Sequence, residues 1–107
     1  MEAELRALIE AVRQRRDLGQ LRAWRARVEA EPPGRTRERA LAWLFLAEAE
    51  GLLASGRARE AYGPMLTAYS YARTAGDAEA FLRAREGVTR LREFRDASSP
   101  KRSKRRR

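Results

Sequence analysis

Cysteine and histidine are both absent from this 107-residue chain. Without cysteine there is no disulfide and no thiolate chemistry. Losing both residue types also removes the two commonest side chains of nucleophilic and acid–base catalysis. Asparagine is missing as well, and glutamine occurs only at Gln14 and Gln20. Depletion of such thermolabile residues is one mark of thermophile proteins, but the scarcity of lysine runs against that trend. A bias to arginine and alanine equally follows from a GC-rich genome, so the source temperature stays open. Strand formers are few: one Ile, three Val and four Thr, with no sustained apolar–polar alternation. The apolar run Ala40–Ala47 is far too short to span a bilayer. Residues 1–10 carry Glu2, Glu4 and Glu10 and lack the apolar stretch of a signal peptide. A cytoplasmic location with no membrane contact is expected.

What is present favours helix. Ala, Leu, Arg and Glu dominate, and they lose little rotamer freedom in a helix. A chain of this length supports one shared core. The formal net charge of +9 is uneven. Residues 101–107 hold six positive charges, which leaves 18 basic against 15 acidic groups over residues 1–100. The body, residues 1–96, is therefore nearly balanced, and the basicity sits in a tail at 97–107.

Apolar spacing predicts about five helices. Leu5, Leu8, Ile9 and Val12 form one stripe over Ala3–Arg16. Asp17 with Gln20 resembles a capping box, which starts a second helix at Leu18 with the stripe Leu21, Trp24 and Val28. Pro32, Pro33 and Gly34 end it. Thr36 is a suitable N-cap for a third helix, whose buried face is Leu41, Leu44, Phe45, Ala49 and Leu52. Ser55 and Gly56 stop that helix, with Gly56 suited to a left-handed C′ position. A fourth helix spans Arg57 to Ala75 on Ala58, Ala61, Tyr62, Met65, Leu66, Tyr69 and Ala72. Gly63-Pro64 lies inside it. Either the helix kinks there or it starts at Pro64, and the unbroken stripe favours the kink. Gly76 and Asp77 form a second stop-and-cap pair before a fifth helix on Phe81, Ala84, Val88 and Leu91, with Leu82 and Phe94 off that stripe. No apolar residue follows Ala97, so the tail has nothing to offset the entropy of ordering and is expected to be disordered.

Within this pattern, Ala42 to Tyr71 resembles a tetratricopeptide repeat (TPR), a helix–turn–helix unit of about 34 residues that stacks into solenoids. Phe45 matches the first large position, Ala49 the small position of close helix packing and Leu52 the next large one. Ala58, Ala61, Met65 and Ala68 match the second helix. Gly56-Arg-Ala-Arg-Glu-Ala61 looks like the turn, and Thr74-Ala-Gly-Asp77 like the junction to a next repeat. Glu48 and Arg73 depart from the usual Leu and Pro, and the N-terminal helix pair matches only loosely. The resemblance implies an all-α, right-handed stack of antiparallel hairpins. It also implies that Trp43, Leu46, Glu50 and Leu53 face a groove for a protein partner.

No catalytic, cofactor or metal constellation stands out. Ser55 sits at a turn and Ser70 in a helix, Glu48, Glu50 and Glu60 are interspersed with Arg, and no glycine-rich phosphate loop occurs. A non-enzymatic chain without a cofactor is expected. Trp24 lies on its helix's one stripe and reads as core, whereas Trp43 fits either core or a partner or subunit contact. Tyr62 and Tyr69 read as core and Tyr71 as exposed. The tail residues Lys101, Arg102, Lys104, Arg105, Arg106 and Arg107 suit non-specific contact with nucleic acid, a ribosome or another polyanion; docking on an acidic protein and plain solubility are the other two readings. No recognition helix with base-reading polar residues is evident.

Overall fold

Five α-helices carry the described residues, 2–16 and 18–97, of the computed structural model, with no strand among them. They are α1 (Glu2–Arg13), α2 (Leu21–Glu29), α3 (Arg35–Ala54), α4 (Ala58–Ala75) and α5 (Ala78–Ala97). The all-α reading and the helix count agree with the sequence. α3 is the hub: it packs against α4 most extensively and also against α1, α2 and α5, while α4 packs on α5. Among the described residues no helix is long and apolar enough to cross a membrane.

The reason α3 can hold this place is its composition. Ala40, Leu41, Ala42, Trp43 and Leu44 are consecutive and all buried. Five buried residues in a row cover more than one full helical turn, so that stretch meets protein on every side. Small residues let the neighbours come close. Ala49 on α3 and Ala61, Ala68 and Ala72 on α4 are each at most 1% exposed. Larger rings fill the flanks. Phe45 stacks on Tyr71 at 6.0 Å between centroids, and Arg25 of α2 lies 4.4 Å from the Phe45 ring centre. Tyr69 of α4 stacks on Phe81 of α5 at 4.9 Å. Tyr71 is thus half-buried in this layer, not exposed. α5 also approaches α4 closely at Gly87, where a Cβ would collide with the Met65 thioether.

Three helices end in the same way. Gly56 has φ 78°, with Gly56 N–H donating to Leu53 O (3.1 Å) and Arg57 N–H to Leu52 O (2.8 Å). Gly76 has φ 72°, with Gly76 N–H donating to Arg73 O (3.3 Å) and Asp77 N–H to Ala72 O (3.1 Å). Both are Schellman terminations, in which the left-handed residue turns the chain and satisfies the last carbonyls. α1 ends identically, with Arg15 N–H donating to Val12 O (2.9 Å) and Arg16 N–H to Ala11 O (2.7 Å). Here the left-handed residue is Arg15, at φ 58°, the one non-glycine with positive φ among the described residues.

Several boundaries differ from the sequence reading. α1 stops at Arg13, because the Arg15 turn consumes the residues up to Arg16. Asp17 lies outside the described residues; Leu18–Gln20 is a 3-10 turn, and α2 begins at Leu21 with no side-chain cap from Gln20. Thr36 is the second residue of α3 and not its cap. Gly34 holds that place, its carbonyl accepting the Glu38 N–H at 3.0 Å. α4 spans Ala58 to Ala75 with Pro64 inside it, so the alternative start at Pro64 does not hold. α1 and α2 each pack on α3, and an open cleft between them is lined by Leu5, Leu8, Ala11, Trp24 and Val28, so Trp24 is half-buried.

Ala49 gives the packing a direct check. It is fully buried, one turn beyond Phe45 on the hub helix. Ala49→Leu is expected to overpack this layer and lower unfolding free energy by about 1–3 kcal/mol, measured by urea denaturation. A neutral result would place Ala49 outside the α3 packing layer.

Candidate protein-binding face

The residues expected to face a partner do not share one environment. Trp43 and Leu46 are each 1% exposed and belong to the core. Both border a cleft that Val12 of α1 and Arg83 of α5 also line, and the Trp43 side chain meets Arg83 and Asp77 at the α5 side. The first-helix face that the sequence offers as a groove is therefore taken up by the chain's own packing at Trp43 and Leu46. Glu50 and Leu53 stay half-buried. Leu53 does not line the cleft that the other three border.

That cleft lies where α1, the turn before α2, α3 and α5 meet. It has a volume of about 170 Å³. Its apolar wall is Val12, Leu18, Leu46, Ala47 and Ala54, and Arg15, Glu50 and Arg83 supply its charge. Leu18, 38% exposed, is one of four large apolar residues that remain open to solvent. The charged groups hold one another. Arg83 of α5 donates to Glu50 Oε1 at 2.8 Å, and Arg15 approaches the same oxygen at 3.5 Å. The Arg83 guanidinium also sits 5.1 Å from the Trp43 ring centre, within reach of a cation–π contact. Glu50 is therefore a bridge from α3 to α5 and to the turn after α1.

The other end of the Trp43 side chain explains how α5 is fixed. The indole N–H donates to Asp77 Oδ2 at 2.8 Å, and Arg39 Nε donates to the same oxygen at 2.7 Å. Asp77 Oδ1 accepts the Ala80 N–H at 3.1 Å, which makes Asp77 the N-cap of α5. One carboxylate thus caps α5, pairs with α3 and satisfies the only polar atom of a buried tryptophan. Nearby, Arg35 Nε donates to Ala75 O at 2.8 Å, tying the start of α3 to the end of α4. Burial pushes the Asp77 carboxyl up, but the hydrogen bonds from Arg39, the Ala80 amide and Trp43 outweigh it. The net effect holds its pKa below the usual aspartate value.

Sequence reading identified Asp77 as a cap and missed its bond to Trp43, which spans 34 positions. Arg83, Arg15 and Leu18 carried no local signal for this cleft, because α5 and the α1–α2 turn reach it only after packing. Lys101, Arg102, Lys104, Arg105, Arg106 and Arg107 lie outside the described residues.

Asp77 makes the pH dependence predictable. A carboxylate with a lowered folded-state pKa adds stability above its unfolded value, about 3.9, and that contribution fades as pH falls through the folded value. Asp77→Asn should therefore lose less stability than the parent between about pH 5 and pH 2, as followed by thermal melts. Asp77→Ala removes the cap and strands the indole N–H, and should cost about 2–4 kcal/mol at neutral pH. Equal acid profiles for the parent and Asp77→Asn would contradict this assignment.

Compared with family models, with curated proteins and with solved structures, the chain finds no match.

Proposed function

We propose that this chain is a non-enzymatic protein-interaction adaptor of the TPR-like type. The observation that carries the reading is the small apolar cleft bordered by Leu18, Ala47, Ala54, Glu50 and Arg83. It is sized for a single apolar side chain, and its charged edge suits the backbone or polar flank of a peptide. The α3–α4 hairpin supports the family likeness, with buried small residues at Ala49, Ala61 and Ala68 and a glycine turn at Gly56. The partner's access is at the C-terminal end of α3, since Trp43 and Leu46 are buried.

Site-specific photo-crosslinking in the native cell tests this. A benzophenone side chain at Ala54, exposed beside the cleft, is expected to capture one discrete protein. The same group at Arg59, exposed on α4 away from the cleft, is expected to capture none. Identical captures from both positions would remove the cleft as the binding site.

A second reading rests on the charge distribution. Six of the nine net positive charges fall in residues 101–107, behind Ser98-Ser99-Pro100. A basic arm of this kind binds nucleic acid by releasing counterions and not by reading bases. If all six charges engage, log K should fall against log salt with a slope of about −4 on single strands and about −5 on duplex. Removing residues 101–107 should abolish most of that binding, leave the melting temperature unchanged and show no sequence preference. Should the truncated chain bind nucleic acid as tightly as the full chain, the tail has no part in it.

A further inference from the structure

The outward face of α5 is unlike the other surfaces. Its inner side, Ala80, Ala84, Val88 and Leu91, is buried against the rest of the fold. Its outer side carries Leu82 at 57% and Phe94 at 50% exposure, the two most exposed large apolar residues described. Between them, at four-residue steps, stand Glu86 and Arg90. Both are exposed, and among the described residues neither forms an ion pair. Of the other arginines, Arg13, Arg15, Arg25, Arg27, Arg39, Arg57 and Arg83 each pair with a carboxylate.

Residues four apart on a helix form a continuous ridge, so Leu82, Glu86, Arg90 and Phe94 make one inclined row. Successive members are about 6 Å apart along the axis. The row starts opposite the packed face and winds toward its flank. Its order is apolar, acidic, basic, apolar. A two-fold axis at the level of Val88 maps that order onto its own complement. Leu82 then meets Phe94 of a second copy, and Glu86 meets Arg90, each contact occurring twice. A parallel pairing would instead set Glu86 against Glu86 and Arg90 against Arg90, which costs free energy.

We infer that α5 is a self-docking surface, on which two copies of this chain associate as an antiparallel, isologous dimer through the Leu82–Glu86–Arg90–Phe94 ridge. Ridge-on-ridge packing of four-residue rows crosses two helices at about −50°. Such a crossing presses the central Glu86–Arg90 contacts together and leaves the long Leu82 and Phe94 side chains to close the ends. The contact is small, so the dimer is a weak and reversible one. Two chains of net charge +9 also repel, and salt near 0.15 M, with a Debye length of about 8 Å, screens that repulsion. This surface is separate from the cleft at the end of α3, and the inference does not depend on the adaptor reading.

Sedimentation equilibrium of the full chain, from micromolar to millimolar concentration, tests the inference through charge reversal. The parent chain is expected to dimerise reversibly. Glu86→Arg alone faces two arginines with two arginines, and Arg90→Glu alone faces two glutamates with two glutamates. Each should weaken dimerisation at least about tenfold while circular dichroism and melting temperature stay unchanged, since both positions are exposed. An equimolar mixture of the two single variants restores both opposite-charge contacts and should form a one-to-one heterodimer as tightly as the parent pairs with itself. The double variant Glu86→Arg/Arg90→Glu should recover the homodimer. A parent chain that stays monomeric throughout, an Arg90→Glu variant that dimerises undiminished, or a mixture that fails to pair would overturn the inference.

Discussion

A helix enclosed on every side cannot carry charge along its middle, and between Ala40 and Leu44 α3 carries none. The other four helices are arranged by that constraint. Each has one apolar side to place, and α3 is what all of them share as a neighbour. Alanines set how near α4 comes, because a larger residue at Ala49 or Ala68 would hold the backbones apart. The burial that makes α3 a hub also creates its single polar demand, the indole N–H of Trp43. Asp77 meets it, and the same carboxylate starts α5.

The turns complete this arrangement with little sequence. Gly56 and Gly76 end α3 and α4 by the same left-handed geometry, and the chain reverses within a few residues each time. Arg15 repeats the geometry where glycine would be easier, and its guanidinium reaches Glu50 across the cleft. The polar links at this seam run between helices: Arg83 to Glu50, Arg13 to Glu79, Arg39 to Asp77. Exposed pairs of this sort contribute little stability one by one. Asp77 is the exception, because it is almost enclosed and makes three hydrogen bonds at once.

Helix number, the two glycine turns and the Asp77 cap were legible because each is a local matter. Periodicity reports which side of a helix is apolar, and glycine or aspartate beside a stop reports how the backbone turns. The start of α3 was misjudged by one residue type: Thr36 has the better capping side chain, yet Gly34 occupies the cap because its carbonyl receives the first helical bond. The partner face was harder to read. Trp43 and Leu46 lie on the side of α3 that the resemblance leaves open, and nothing within α3 announces that packing buries both.

The sequence by itself determined that the chain is helical, where glycine and proline divide it, and which side of each helix is apolar. These follow from backbone geometry and from spacing, and need no knowledge of neighbours. Only the tertiary structure decided which apolar sides meet. It buried Trp43 and Leu46, brought Arg83 to Glu50 from 33 positions away and left Leu82 and Phe94 outside. A stripe of leucine and alanine matches many partners equally well. The choice among them rests on side-chain volume, on helix crossing and on which polar atoms must be satisfied, and those exist only once the helices are packed.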